Sequence, residues 1–330
     1  DEIDVANERQ RIENMTDNER NDQAIILKDL TKYFHKSKRA VVNRLTFAVS
    51  NRECFGLLGF NGSGKFLFEV EAKTKQHLFS SGKTTTFRML VGELQPTRGS
   101  IKKNSTTTIG YCPQNDISFS GLTVLQTVNY ICRIHGLEPN SINQLLLEQF
   151  HLNKYQNYLF SHLSGGTRRR LHLALCLIGS PTLLLLDEPT AQVDSILRHQ
   201  IRLILQHRPQ RTSIIFASHS MFECEQLCDR LTILIQGTAR CLGTIEQIKS
   251  KYGMTYRIRL RFIESSIDIP ELVHIEHTNE YIYKDKSLAQ LFALLEQLVD
   301  QCVIASDYTV QLTSLEHIFL TLQHSSSAKS

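Results

Sequence analysis

Short apolar stretches recur through the middle of the chain, and each is bounded by turn residues or by a stretch with helical periodicity. Runs of about four to eight residues predict β-strands, which are buried on one face where polar residues alternate and on both faces where they do not. Strands are predicted at 25–30, 45–49, 53–59, 108–112, 182–188 and 213–218, and helices at 84–92 and 123–150. This alternation of strands and helices predicts an α/β core with a parallel sheet.

The two ends of the chain do not share this pattern. Residues 1–24 contain eight acidic and three basic residues and few large apolar groups, which predicts a tether or a frayed helix. From residue 255, period-two alternation at 256–262 and an amphipathic helix predict a small α+β domain that ends near 323, before a serine-rich tail at 324–330. The apolar face of that predicted helix consists of Leu288, Leu291, Phe292, Leu295, Leu298 and Val299.

Composition excludes several classes of protein. The 330 residues are 41% apolar and 21% charged, a balance typical of a folded globular protein. The net charge of +4 is too small to indicate a nucleic-acid surface. No run approaches the roughly 18 apolar residues of a membrane span, and no signal peptide is recognisable. The eight cysteines form no Cys-x-x-Cys pair, which favours buried, reduced thiols in the cytosol.

The tripeptide Ser-Gly-Lys occurs twice, 18 residues apart, after the predicted strand 53–59. A phosphate-binding loop needs Gly-x-x-x-x-Gly-Lys-[Ser/Thr] between a strand and a helix, so that backbone N–H groups and lysine surround a phosphate and the hydroxyl binds Mg²⁺. The first copy lacks the hydroxyl because Phe66 takes its place, and the second has His77 at the early glycine position. Only the joined copies fit the whole motif. The residues predicted to bind phosphate are Gly59, Asn61, Gly62, Ser63, Gly64 and Lys65 from the first copy and Gly82, Lys83, Thr84 and Thr85 from the second.

Two placements of the 18-residue insert are compatible with a single phosphate loop. If 66–83 is extra, the chain is interrupted between Lys65 and Thr84, in the first turn of the helix. If 63–80 is extra, the helix start remains whole, and we favour this placement. Closing a flexible loop of 18 residues costs roughly 2.6 kcal/mol plus a constant, which a domain tolerates. The ring of N–H groups is nevertheless interrupted, so we expect nucleotide affinity to fall.

The repeat also suggests how the insert arose. Codons for Gly-Lys can contain a splice-donor sequence, and the Phe-Ser end fits a pyrimidine-rich acceptor. The insert corresponds to 18 × 3 = 54 nucleotides and preserves the reading frame. We hypothesise that residues 65–82, give or take the repeat, are an intron retained in the gene model, and a messenger RNA that carries these codons would contradict this. The alternative is a genuine lineage-specific insertion.

Two later segments carry residue types suited to phosphate chemistry. A Leu-Ser-Gly-Gly turn with Ser164, Gly165 and Gly166 leads into a predicted helix, whose N-terminus favours anions. Asp187 ends a predicted buried strand, where its carboxylate suits a Mg²⁺ shell, and Glu188 is placed to polarise a water. Each segment has an alternative interpretation, because Ser-Gly-Gly is common in turns and an Asp-Glu pair often caps a helix.

Gln114 and His219 each follow a predicted strand. The Gln114 amide suits a metal ion or an attacking water, and a neutral His219 imidazole suits a γ-phosphate. A single histidine in such a place is more often structural, but five elements in this order and spacing favour a nucleotide site.

These motifs resemble the ATP-binding cassette domain over about residues 25–250. The split phosphate loop is similar to Walker A, Gln114 to the Q-loop glutamine, LSGGT to the signature, Asp187–Glu188 to Walker B, AQVD to the D-loop and His219 to the switch histidine. The segments ECFGLLG, SHSMFECEQLCDRL and ARCLG resemble the second, C-terminal cassette of a subfamily A, lipid-exporter-type transporter.

The resemblance implies a P-loop NTPase core with an antiparallel β subdomain, a helical signature subdomain at about 115–180 and a small C-terminal α+β domain. Residues 1–24 would be the linker from a membrane domain, and 255–323 a regulatory domain. The cassette would lie on the cytosolic face of a membrane protein, attached through transmembrane domains of the same transporter. It would pair head to tail with a second cassette around ATP and would not bind nucleic acid.

The resemblance also implies roles for individual residues. Phe34 or its neighbour Tyr33 would stack on adenine, and Lys65 or Lys83 would bind the phosphates. Gln192 stands where the family has a D-loop glycine, which puts coupling across the dimer in doubt. Mg²⁺ would be held by Thr84, Gln114 and, through water, Asp187. The signature residues Ser164, Gly165 and Gly166 would contact ATP held by the partner, and Glu188, with Gln114 and His219, would catalyse hydrolysis.

The function implied is ATP hydrolysis that powers the export or flipping of lipid-like molecules. Two alternatives remain at this stage. One is a cassette protein without membrane domains that acts on ribosomes or DNA, and the other is a regulatory cassette that does not bind nucleotide.

Overall fold

The chain forms two compact units in the computed structural model, 1–243 and 244–330. The described residues are 3–34, 39–59, 82–115, 117–139, 146–191, 193–207, 211–252, 256–260, 269, 272–274, 280–283, 288–301, 304, 308–312, 315–316, 318–319 and 322. The division falls at 243/244, several residues before the predicted boundary near 250–255. Thr244 and Gln247 form a reciprocal helix cap there, at 2.9 and 3.2 Å.

The first unit contains helices and strands in alternation. Its helices are α1 Ile3–Asn14, α2 Asp17–Asn21, α3 Lys83–Leu90, α4 Val124–Ile134, α5 Gly165–Leu177, α6 Ser195–Gln206 and α7 Met221–Leu227. Its strands are β1 Gln23–Lys32, β2 Val42–Ser50, β3 Cys54–Leu58, β4 Arg98–Lys103, β5 Ile109–Cys112, β6 Leu183–Asp187, β7 Ser213–Ser218, β8 Arg230–Ile235 and β9 Thr238–Thr244. Short 3₁₀ turns occur at Asn153–Tyr155 and Phe160–His162, so the described part of the predicted helical subdomain contains helices and turns.

Two sheets form the layers of this unit. Six strands make the larger sheet in the order β5-β6-β7-β3-β8-β9, and the pairs from β5 to β8 are parallel. Three antiparallel strands, β2-β1-β4, make the smaller sheet. Phe47 and Phe55 are fully buried and stack with ring centroids 4.6 Å apart, so one aromatic pair joins β2 to β3. The fold class predicted from sequence, an α/β core with an antiparallel subdomain, is confirmed.

The prediction of a tether or frayed helix at 1–24 is wrong for α1, which packs on β2 through an apolar face. Its Glu8 is 5% exposed and accepts hydrogen bonds from the Ala48 N–H at 3.2 Å and from Arg11 at 2.8 Å. Arg230 lies 3.0 Å from the same carboxylate. Although burial acts in the opposite direction, Arg11 and Arg230 lower the pKa of Glu8. The acidic composition of this segment predicted solvent-exposed side chains. The burial of Glu8 was missed because its partner Arg230 is distant in the sequence.

The carboxyl ends of three neighbouring strands meet at one edge of the larger sheet. Leu58 pairs with Ser218, and Asp187 pairs with Ala217, so β3, β7 and β6 end side by side. All residues of β3, β6 and β7 are buried, as their continuous apolar runs predict. The residues that follow these three strands therefore lie close together. Ligands bind at this edge in open α/β sheets.

The second unit contains a four-stranded antiparallel sheet in the order β11-β12-β10-β13. Its elements are α8 Ile245–Tyr252, β10 Tyr256–Arg259, β11 Leu272–His274, β12 Glu280–Tyr283, α9 Leu288–Asp300 and β13 Thr309–Leu312. The predicted apolar face of α9 is right at Leu291 and Leu295, which are fully buried. It is wrong at Leu288 and Phe292, which are 42% and 39% exposed. Among the described residues, no helix is both long enough and apolar enough to cross a bilayer.

Candidate active site

Helix α3 begins at the second Ser-Gly-Lys copy. Gly82 caps the helix with φ of 86°, a left-handed conformation that glycine adopts without strain. A Cβ at this position would lie 2.7 Å from the Val41 carbonyl oxygen, so a larger residue does not fit. The Gly82 carbonyl accepts the Thr86 N–H at 2.9 Å, which starts the helix at Lys83. The helix start therefore comes from the second copy, and the placement of the insert stays a prediction because 60–81 lie outside the described residues.

Lys83 links the two ends of the phosphate-loop motif. Its ammonium donates to the carbonyl of Gly59, the residue after β3, and lies 3.6 Å from a carboxylate oxygen of Glu188. The side chain is 2% exposed. Burial lowers the pKa of Lys83, although Glu188 and Asp187 act in the opposite direction. A buried cation thus faces the edge where β3 and β6 end.

Glu188 lies between Lys83 and the residue that follows β7. Its other carboxylate oxygen is 3.4 Å from Nδ1 of His219, whose pKa is raised by the hydrogen bond to Glu188. The backbone of Glu188 is left-handed, with φ of 51°, and its N–H donates to the Ala217 carbonyl at 2.9 Å. Such a backbone is strained for a residue other than glycine and persists only where the surroundings fix it. Six other described residues besides the glycines have a positive φ, so the contacts of Glu188 with Lys83 and His219 are what indicate a functional position.

Asp187, Thr84 and Gln114 supply oxygen atoms suited to Mg²⁺. The Thr84 hydroxyl lies 3.5 Å from the Gln114 amide oxygen. Asp187 is fully buried, and neither of its carboxylate oxygens has a hydrogen-bond partner of normal geometry among the described residues. A buried carboxylate without donors is expensive unless a cation compensates it. Hydroxyl, amide and carboxylate oxygens form the donor set that Mg²⁺ prefers, so the residues present fit this ion.

Burial raises the pKa of Asp187 to about 6, against the effects of the Thr84 hydroxyl and Lys83. Because the folded chain holds this proton more tightly than the unfolded chain, stability falls as pH rises from about 4 to about 6. We expect Asp187→Asn to be more stable than the parent by about 2 kcal/mol at pH 8 without Mg²⁺ and nucleotide, and equal to it at pH 4. Urea unfolding at both pH values measures this.

Asp194→Asn is the matched control. Asp194 caps α6 by accepting the Leu197 N–H at 2.9 Å, and asparagine caps a helix about equally well. We expect its unfolding midpoint to follow the parent at every pH. A lower stability of Asp187→Asn at pH 8 would show that the carboxylate is not the destabilising group.

The signature residues stand at the N-terminus of α5. Ser164 caps the helix and accepts the Thr167 N–H at 3.3 Å. Ser164 and Gly165 are exposed, and a Cβ on Gly165 would meet no atom within 4 Å. The structure does not bring this turn to the carboxylates of Asp187 and Glu188 by any described side-chain contact. The exposure of Ser164 and Gly165 at a helix N-terminus suits an anionic ligand.

Some of the remaining predicted residues lie in the described part of the chain and others do not. Tyr33 and Phe34 follow β1 and are 40% and 41% exposed, and Lys32 lies 5.7 Å from the Phe34 ring centroid. Thr85 lies on α3 beside Thr84 and is partly buried. The predicted residues Asn61, Gly62, Ser63, Gly64 and Lys65, and the unusual Gln192, lie outside the described residues.

Sequence reasoning missed two buried charged residues around the site. Glu223, on α7, accepts from the Thr190 and Ser218 hydroxyls at 2.8 and 3.0 Å and lies 3.3 Å from Arg198. Arg169, on α5, is 4% exposed and bonds the backbone next to Asp187 and Gln114. The sequence carries no signal that singles out Arg169, because Arg170 also has apolar residues four and seven positions later, Ala174 and Leu177.

The chain is similar in sequence to known transporter proteins. The family model "ABC transporter" matches residues 80–191, which begin at the second Ser-Gly-Lys copy. Human ATP-binding cassette sub-family A member 2 is 33% identical over 97% of this chain and 14% of its own length. Human phospholipid-transporting ATPase ABCA3 is 33% identical over 97% of this chain and 20% of its length.

The fold also matches solved structures. An ATP-binding subunit of an ABC transporter superposes with a TM-score of 0.58 at 22% identity, over 69% of this chain and 93% of that one. The chain spans a seventh to a fifth of the curated relatives above. Sequence family, fold and site geometry agree, and the chain therefore belongs to the ATP-binding cassette family.

Proposed function

We propose that the chain is the ATP-hydrolysing cassette of a transporter. The observation that carries the proposal is the convergence of Lys83, Asp187, Glu188 and His219 at the carboxyl edge of the larger sheet, with Glu188 3.6 Å from Lys83 and 3.4 Å from His219. A buried cation, an activated carboxylate and a strand-end histidine are the groups that positioning and charge stabilisation in phosphoryl transfer require.

In the proposed mechanism, Glu188 accepts a proton from the water that attacks the γ-phosphate of ATP. The water oxygen bonds to phosphorus while the bond to the bridging oxygen of ADP breaks. Lys83, now paired with Glu188, would turn to the phosphates, and His219 would hold the carboxylate in place and contact the γ-phosphate. Phe34 or Tyr33 would stack on adenine, since both rings are accessible.

The magnesium ligands proposed are Thr84, Gln114 and, through water, Asp187. Mg²⁺ would neutralise charge on the phosphate oxygens. The full burial of Asp187, whose oxygens form no close hydrogen bond among the described residues, supports this assignment.

The proposed partner is a second cassette arranged head to tail, whose ATP the Ser164–Gly165–Gly166 turn would contact. The exposure of Ser164 and Gly165, with open space around Gly165, supports this. Transmembrane domains of the same transporter would place the cassette at the cytosolic face, with 1–24 leading from them and the second unit, beyond residue 243, serving regulation. The name of the phospholipid-transporting relative supports a lipid-like substrate.

A concentration series tests the proposal. If each site needs two chains, phosphate release per chain rises with protein concentration and stops when EDTA removes Mg²⁺. Specific activity that is independent of concentration would contradict the paired site. A chain that neither binds nor hydrolyses ATP, even without residues 66–83, would instead be a regulatory cassette that does not bind nucleotide.

A further inference from the structure

Arg169, on the signature helix α5, makes four hydrogen bonds to backbone carbonyls. Its guanidinium donates to four backbone carbonyls: Pro113 at 2.5 Å, Asp187 at 2.7 Å, Glu188 at 2.9 Å and Pro189 at 3.0 Å. No carboxylate is among these four acceptors, so the fork is used to fix the main chain. Arginine suits this purpose because its five N–H groups point in fixed directions within one plane.

The acceptors belong to the segments that carry the catalytic side chains. Pro113 directly precedes Gln114, and the other three carbonyls belong to the turn that presents Asp187 and Glu188. One side chain on α5 therefore ties the Q-loop to the end of β6. Movement of α5 would be transmitted to both segments through the same planar group.

Glu188 is where this connection matters most. Its left-handed backbone is held on one side by the bond from its own N–H to Ala217. Its carbonyl accepts from the Ala191 N–H at 3.1 Å and from Arg169. A strained backbone keeps its shape only while such bonds over-determine it. Removing the arginine fork would let the Glu188 side chain move relative to Lys83 and His219.

We infer that Arg169 is a positioning residue for hydrolysis, which couples the signature helix to the carboxylates and the Q-loop of its own chain. The inference rests on the proposed function, since it assigns Arg169 a part in that same reaction. In the paired arrangement, the signature turn of one chain would contact ATP held by the partner. Arg169 would then link the position of that turn to the Glu188 of its own chain, which acts on the other ATP. The four acceptors named above are backbone carbonyls rather than reacting atoms, so Arg169 acts through the segments that it holds.

Arg169→Lys tests the inference in the full chain. Lysine keeps the charge but has one compact ammonium, which cannot bridge both segments. We expect backbone amide exchange at 187–191 to accelerate about ten-fold, because the local opening loses charge-assisted hydrogen bonds. We also expect kcat to fall about 10- to 100-fold while KM for ATP stays within about two-fold, since misplacement affects the chemical step.

Arg170→Lys is the matched control on the same helix. Arg170 also donates to carbonyls, those of Phe150 at 3.1 Å and His151 at 3.2 Å, and to the Thr167 hydroxyl at 3.2 Å, but none of these acceptors belongs to the segments around Gln114 or Asp187 and Glu188. We expect exchange at the amides of 187, 188, 190 and 191 to remain at the parent values. If Arg169→Lys does not give the parent circular dichroism spectrum, Arg169→Gln, which keeps two N–H donors without a buried charge, replaces it with the same expectations.

Two results would overturn the inference. One is unchanged amide exchange at 187–191 in the Arg169 variant, and the other is an equal change in the Arg170 variant. A parent chain without ATP turnover contradicts the proposed function instead, and the exchange measurement then still decides the role of Arg169.

Discussion

Removing the insert increases ATP affinity at least about 100-fold. Deleting 63–80 or 66–83 leaves the same polypeptide, Gly-Phe-Asn-Gly-Ser-Gly-Lys-Thr, so one variant serves both placements. The lysine and helix start of the second copy already lie against Gly59, through the bond from Lys83 to its carbonyl. A continuous loop then adds inward N–H groups, and two charge-assisted hydrogen bonds of about 1.5 kcal/mol each correspond to about 100-fold in Kd. Equilibrium titration with ATP and Mg²⁺ measures this.

A replacement of the insert by 18 residues of glycine and serine separates length from sequence. Because the interruption itself is the proposed cause, we expect this variant to bind as weakly as the parent chain. Equal, tight binding by all three chains would contradict the loop argument. It would also remove the reason to regard the insert as foreign to a working cassette, whereas the transcript alone decides whether it is an intron.

The parts of the site that follow strands could be predicted from sequence. Continuous apolar runs placed the ends of β3, β6 and β7, and parallel strands bring the residues after them to one edge. Asp187, Glu188 and His219 follow directly from that geometry. The left-handed turn at Gly82 could not be predicted in this way, because its reason, the close approach of the Val41 carbonyl, comes from a distant segment.

The features that could not be predicted from the sequence depend on contacts between segments that are distant along the chain. In Arg168-Arg169-Arg170, composition does not tell which arginine is buried, and only the phase of α5 against the sheet places Arg169 under the Glu188 turn. Strand β4 has no apolar alternation, since nearly all its residues are exposed and it forms by pairing with β1. The burial of Glu8 could not be predicted, because its partly buried partner Arg230 is far away in the sequence.

Glu188→Gln, in the chain without residues 66–83, lowers kcat at least about 100-fold and leaves ATP binding intact. Glutamine has nearly the same size but does not accept the proton of the attacking water, and general-base catalysis contributes about 10²- to 10⁴-fold. Binding does not weaken because Lys83 loses the carboxylate that competes with phosphate at 3.6 Å. Phosphate release and ATP titration separate the two effects.

Glu93→Gln controls for the loss of a carboxylate near α3. Glu93 pairs with Arg88 at 3.0 Å on the surface, with both side chains about half exposed, and such pairs contribute about 0–1 kcal/mol. We expect its kcat and Kd to equal those of the parent. If Glu188→Gln turned over ATP within about ten-fold of the parent, another group would have to accept the proton. The nearest candidate would then be His219, which lies 3.4 Å from the same carboxylate and would lose its anionic partner in this variant.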